Sequence, residues 1–436
     1  MTPVTTAAAG LDSGDTAWLL AATALVLLMT PGLALFYGGM VRTKSVLNML
    51  MMSFVSIALV TVVWLVAGYS LVFGDDAFGG LVGDLAHLGL ADIGPDALTG
   101  GVPTLLFSTF QLTFAIITAA LISGAVADRT RFAAWLVFVP VWTLLVYAPV
   151  AHWVWGPGGW IKDSLGALDF AGGLVVEIAS GASGLALALV VGPRIGFRKD
   201  AMRPHNLPMV MLGAGLLWFG WLGFNGGSAL AANGLAAASM LNTVVAGCTG
   251  LLGWLFVEQR RDGHPTTFGA ASGAVAGLVA ITPACGTVSI LGGAAVGLAA
   301  GVVCSYAVAW KFRFGYDDSL DVVGVHFAGG IVGTLLIGLF ATASMTGGAE
   351  GLLYGGGVGQ LLRQGVAVVT VASYTFLMTY GIGKAVDRLI GLRATAEEEV
   401  TGLDQTLHAE SAYDHGALGH AAPQSASLPR DRKTGP

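Results

Sequence analysis

Eleven apolar stretches, each about as long as a bilayer's hydrocarbon core is thick, leave this chain few folds to choose from. A helix crosses a core of about 30 Å with roughly 20 residues. Such runs lie at 16–38, 46–73, 104–127, 132–152, 171–192, 208–227, 236–258, 267–284, 287–310, 321–343 and 363–388, the eighth being the shortest and richest in glycine. In hydrocarbon every backbone N–H and C=O must pair within the protein. The runs therefore predict an all-α membrane protein of eleven transmembrane helices. Composition agrees, because 11% of the residues are charged against about 25% in a soluble domain. The 65 glycines recur inside the runs, where small residues let helices approach closely.

Basic residues orient the spans, since they accumulate in cytoplasmic loops. Arg42 and Lys44, Arg129 and Arg131, Arg194 to Arg203, Arg260 and Arg261, and Lys311 and Arg313 occupy every second loop, and the loops between hold only Lys162 and Arg363. Residues 1–15 carry no Lys or Arg, so no cleaved signal peptide is expected. The reading is an extracellular segment 1–15, a transmembrane domain 16–390 and a cytoplasmic tail 391–436, with the N-terminus out and the C-terminus in. An odd number of helices is needed to separate the basic-free N-terminus from the flank holding Lys384, Arg388 and Arg393. Glu397, Glu398 and Glu399 are placed to continue a short helix, and the last twenty residues, rich in Ser, Pro, Ala and Gly, read as mobile.

The longest loop, 74–103, carries Asp75, Asp76, Asp84, Asp92 and Asp96 and is either merely solvated or attractive to cations. No dense basic cluster exists to track a phosphate backbone, so nucleic acid is not an expected partner. Cys248, Cys285 and Cys304 lack metal or redox spacing and read as buried, inert thiols. No cofactor or metal is expected, and no nucleophile with a base suggests an enzyme.

Ionisable groups inside a span cost about 2.5–3.5 kcal/mol on insertion scales, so each one needs a reason. Asp169 opens the fifth span in LDFAGGLVVEIASG, with Glu177 eight residues on, about 12 Å deeper at 1.5 Å per residue. Asp321 and His326 repeat the theme in the tenth span, DVVGVHFAGGIVG. Asp169 and Asp321 read as helix caps, a role compatible with a fixed negative field at a cation site. A mid-span Glu177 is interhelical glue or must face a wet cavity. His326, alone, reads as packing; with Glu177 it makes a proton-exchanging pair. Each motif closes a block of five helices, as in two inverted five-helix repeats plus a final helix, an arrangement that brings such motifs to one pore axis.

Phe110 and Phe114, Trp153 and Trp155, and Phe224 add aromatic faces on which a dehydrated cation gains about 0.5–2 kcal/mol per contact. Interface anchoring is the rival role for Trp155.

The segments PGLALFYGGMVR, FQLTFAIIT, DFAGGLVVEI, PHNLPMV, GWLGFNGGSA, TPACG, DVVGVH and GLRATAEEEVTGLD, in that order across residues 16–415, resemble the Amt/MEP/Rh ammonium transporters, in particular the Amt branch. The resemblance implies that ammonium is recruited outside by Phe114, Trp155 and Ser228, with Asp169 supporting that site from behind. It implies a gate of stacked Phe114 and Phe224 rings. Below it, where the family usually carries two histidines, stand Glu177 and His326, a departure known in a subset of fungal members that leaves open the proton route and the discrimination against potassium. The expected activity is recruitment and deprotonation of ammonium and conduction of ammonia through an apolar pore, with a separate proton relay. A homotrimer in the cell membrane, with a trimeric PII signalling protein at the cytoplasmic face near Arg194–Arg203 and Gly391–Asp404, is also implied. The alternatives are an ammonium sensor and an electroneutral, Rh-like gas channel.

Overall fold

The computed structural model describes residues 10–413; residues 1–9 and 414–436, the last twenty of which were expected to be mobile, lie outside them. Among the described residues, ten helices are long and apolar enough to cross a membrane. They are α1 Ser13–Met40, α2 Thr43–Phe73, α3 Thr104–Val126, α4 Phe132–Trp155, α5 Gly173–Val191, α6 Leu207–Gly227, α7 Gly234–Arg261, α9 Ile290–Phe314, α10 Val323–Phe340 and α11 Gly359–Ile390. Between them α8, Thr267–Ile281, is apolar but shorter, with 15 residues. Besides helices, the loop 74–103 forms two small hairpins, Asp76–Ala77 with Val82–Gly83 and Leu98–Thr99 with Val102–Pro103.

Close packing follows from the glycines where two backbones touch. Helix α7 runs against α8 and α9, and a Cβ added at Gly250 would stand 2.6 Å from the Gly277 Cα. Cys285 and Cys304 are buried as expected; Cys248, on α7, is exposed, because that helix turns one stripe toward the molecule's outer surface. In α4, Pro149 has no N–H to give the Leu145 carbonyl; the Tyr374 hydroxyl on α11 donates to it instead at 2.7 Å. A proline that breaks one helix bond thereby ties two helices together.

The loops sort to two ends. The start of α1 lies with the acidic loop, since the Asp12 N–H donates to the Gly101 carbonyl. At the opposite, basic end, charges meant for solvent by the loop count are instead interred. Arg194 donates to Asp317 from Nε and Nη2, both at 2.9 Å, and to Asp128 at 3.3 Å, while Arg42 reaches Asp128 at 2.9 Å. Arg129 is fully buried and donates to the carbonyls of Ala125, Ala127, Gly192 and Asp317 and to Ser319. Burial pulls its guanidinium down to about 10, still charged at neutral pH. Arg194→Ala leaves Asp317 buried without its main side-chain partner and Asp128 with Arg42 alone, and is expected to destabilise the fold by about 3–5 kcal/mol, read as a lowered melting temperature in detergent; an unshifted midpoint would show the cluster to be dispensable.

The tail docks on this end. Rather than extending α11, residues 395–401 open a new helix, α12 Ala396–Thr401, through a capping box of Thr395 and Glu398, and α13 Leu403–His408 follows. Lys44 Nζ donates to the Glu399 and Val400 carbonyls at 2.8 and 2.6 Å. Glu399 accepts from Arg393 and from the Ile195 N–H. Asp404 accepts from the Leu47 and Asn48 N–H groups at 3.0 and 2.8 Å, capping the start of α2 from another part of the chain.

Candidate functional site

The first turn of α5 is held by one carboxylate. Gly172, at φ +121°, turns the chain so that Asp169 Oδ1 accepts from the Gly172 and Gly173 N–H groups and Oδ2 from Leu174, each at 2.7 Å, with Val175 at 3.3 Å. These are the donors a helix start leaves unpaired, so the expected capping role of Asp169 is present with four bonds. The same residue fixes a ring: Trp155 Nε1 donates to the Asp169 carbonyl at 3.0 Å.

At the start of α10 the cap is not Asp321. Asp318 accepts from the Val322 and Val323 N–H groups at 3.1 and 2.7 Å, while Asp321, at φ +64°, accepts from Lys311 Nζ at 2.7 Å. Asp318 precedes His326 by eight residues, as Asp169 precedes Glu177; that shared spacing is the sequence signal for it. Both helices then open with a wide π-type turn, Gly173–Ile178 and Val323–Phe327, of the kind often found at functional positions. Glu177 and His326 lie one in each turn.

The two turns meet at the centre of the bundle. His326 Nδ1 and Glu177 Oε2 are 2.7 Å apart, with both residues buried. Gly330 permits this approach, since a Cβ there would stand 2.9 Å from the Glu177 Cβ. A carboxyl group and an imidazole at this distance are hydrogen-bonded, with the donor set by the ring tautomer.

A cavity of about 400 Å³ opens at the acidic end. Phe107, Phe114, Trp155, Ser228 and Asp169 border it; the resemblance had implied that Asp169 lies behind the wall. Phe114 meets Trp155 edge-on, with centroids 5.8 Å apart, and Phe110 at 4.9 Å. Ser228 Oγ donates to the Phe224 carbonyl at 2.8 Å, which leaves its lone pairs free for a donor such as a small cation.

The floor of this vestibule is Phe114, whose ring lies 4.2 Å from that of Phe224 at 31°. Phe224 in turn borders a second cavity, lined by Leu33, Phe36, Leu217, Trp221, Val275 and other apolar side chains together with Glu177 and His326. This lumen leaves about 10 Å³ for the centre of a water-sized molecule, room for a single water at most. Trp221 was not singled out by its sequence, where it is one of several tryptophans in apolar context; its Nε1 donates to Thr282 Oγ1 at 2.8 Å, and its ring stands 5.8 Å from Phe224.

A polytopic bundle with an aromatic vestibule, a two-ring constriction and a narrow apolar lumen is the construction of a membrane transport protein that passes a small, nearly dehydrated solute. The chain belongs to the ammonium transporter family, whose model matches residues 17–413. It is 51% identical to an ammonium transporter of Mycobacterium tuberculosis over 97% of this chain and 94% of that one. Among solved structures, Mep2 of Candida albicans superposes with a TM-score of 0.84 at 35% identity, covering 89% and 88% of the two chains. A chain described as a sensor Amt protein superposes at 0.83 with 29% identity, covering 90% and 97%.

Proposed function

We propose that this chain recruits ammonium at Phe114, Trp155 and Ser228 and passes it across the bilayer as ammonia, with its proton carried separately by Glu177 and His326. That the chain is an ammonium transporter of a lipid bilayer follows from its family; the division of labour among residues rests on the juxtaposition of vestibule, ring pair and lumen. A cation gains contacts with the Phe114 and Trp155 rings and the Ser228 oxygen. The lumen beyond offers it almost no water, so an intact ion entering there bears a large desolvation cost. Ammonium, unlike potassium, escapes that cost by releasing a proton. The negative field of Asp169 holds the cation at the point of release, and the Glu177–His326 pair accepts and hands on the proton, so net charge moves although its parts travel apart.

The topology goes with this reading. The acidic end is taken as extracellular and the basic end as cytoplasmic, from the distribution of Arg and Lys. Counting α8 as a crossing gives eleven: residues 1–15 outside, 16–390 in the membrane, 391–436 inside, and two inverted five-helix repeats whose corresponding members α5 and α10 carry the proton pair. The matching Asp169–Glu177 and Asp318–His326 spacings support the repeat. Exposed apolar side chains such as Leu212, Phe219, Leu252 and Phe256 suit a homotrimer in lipid. Arg194, Glu399 and Asp404 are engaged within the chain, so docking of a PII protein at the basic end falls to neighbours such as Lys199 and Arg203.

The test is the transient current after an ammonium jump in proteoliposomes on a solid-supported membrane. A positive current with ammonium and none with potassium is expected. No current from folded protein would favour the sensor reading, to which the likeness to the sensor Amt protein points, or electroneutral ammonia conduction, and the proton relay would fall.

A further inference from the structure

A further cavity, of about 520 Å³ and distinct from the lumen, adjoins the vestibule at the acidic end and is bordered by Tyr69, His87 and Asp92. The two cavities share Phe73, Phe107, Trp155 and Lys162. Three of these four are aromatic. The fourth is a primary ammonium group on a flexible stem, chemically of the same class as the solute the vestibule is built to receive.

No carboxylate in contact neutralises it. Among the described residues the Lys162 ammonium group makes no ion pair and no hydrogen bond. Asp92 is occupied by His87, with Nδ1 and Oδ2 at 2.6 Å, and the oxygens of Asp169 are taken by four backbone N–H groups. Asp163 is adjacent in sequence but does not border either cavity. Lys162 is held in place by its backbone, in the single wide turn Ile161–Leu165, closed by Gly166 at φ +70°.

We propose that Lys162 sets the affinity of the vestibule: its tethered cation stands in the wall between the two cavities and opposes occupancy by a second cation at Phe114 and Trp155. The inference rests on the reading of the vestibule as an ammonium site. A solvated loop lysine is the plainer account of an exposed residue of this kind, and the two differ in what a change of charge does. Repulsion between like unit charges acts through a partly aqueous, mixed dielectric, weakens with salt, and changes sign with the charge. A mere change of packing does none of these.

The experiment measures the half-saturating ammonium concentration from solid-supported-membrane currents. Lys162→Gln is expected to lower it by about three- to tenfold, and Lys162→Glu by roughly the square of that factor. Lys162→Arg, which keeps the charge, stays within about twofold of wild type, and the shifts shrink as sodium chloride is raised from about 10 to about 300 mM. Arg363→Gln removes an equal charge from the same end of the molecule, but Arg363 borders neither cavity, and its loss should shift the value less than Lys162→Gln does and leave it within about twofold at about 300 mM salt. Equal affinities for wild type, Gln and Glu would overturn the proposal, as would equal shifts for Gln and Glu that ignore salt. Wild-type protein that gives no ammonium current at all would overturn the transport reading itself, and this inference with it.

Discussion

Asp169→Ala is expected to reduce ammonium-driven current at least about 100-fold, which corresponds to about 2.8 kcal/mol at about 1.4 kcal/mol per tenfold. The substitution removes the acceptor of four backbone N–H groups at the start of α5. A buried donor left without a partner costs about 1–3 kcal/mol, so the first turn has reason to unwind. That turn carries Glu177, and its approach carries the carbonyl on which Trp155 is fixed. Fixed charge and cap are lost together in Asp169→Ala and are separated by Asp169→Asn. An asparagine keeps an acceptor oxygen for two of the four N–H groups but no negative charge, and should lose less stability than Asp169→Ala while losing about tenfold in current, near 1.4 kcal/mol. Full current in Asp169→Asn would assign the whole of the residue's contribution to the cap; full current in Asp169→Ala would remove it from the mechanism.

How far such residues were legible in the sequence depends on how much their neighbours constrain them. The spans were readable because hydrocarbon penalises any unpaired backbone group over some twenty consecutive residues. Glu177 and His326 stood out for the same reason, as ionisable groups amid apolar ones. The cap of α10 did not. Asp317, Asp318 and Asp321 lie within five residues, and which of them reaches the helix start is set by a positive φ at Asp321 and by the position of Lys311, neither of which propensity can supply. The basic end misled in another way. Counting Arg129 and Arg194 as loop charges gives a consistent orientation yet treats them as solvated, whereas Asp128 and Asp317, from two different loops, bury Arg194 and four carbonyls enclose Arg129. Partners brought together from distant parts of the chain leave no local signature. The docked tail is of this kind, because Asp404 caps a helix that begins more than 350 residues earlier.

Glu177→Leu and His326→Leu are each expected to lower the ammonium-driven current by at least about tenfold, because either one interrupts what is, among the described residues, the only pair of facing ionisable side chains that borders the lumen. Tenfold is near 1.4 kcal/mol, modest beside the cost of an unpaired buried charge; leucine removes proton exchange at the substituted position without adding a polar group to the lumen, and because His326→Leu leaves the Glu177 carboxyl without its partner, its melting temperature is read beside its current. Glu177→Gln sharpens the result. Its side-chain amide retains a hydrogen bond to His326 but cannot gain or lose a proton near neutral pH; it should melt like wild type and conduct like the leucine variant. The double variant should lose no more than either single one, since two residues that act as a unit are strongly non-additive. Losses that multiply would instead mean separate tasks. Full current in both leucine variants, with potassium still excluded, would mean that charge crosses by a route outside this pair, and the separation of ammonia from its proton at Glu177 and His326 would have to be abandoned.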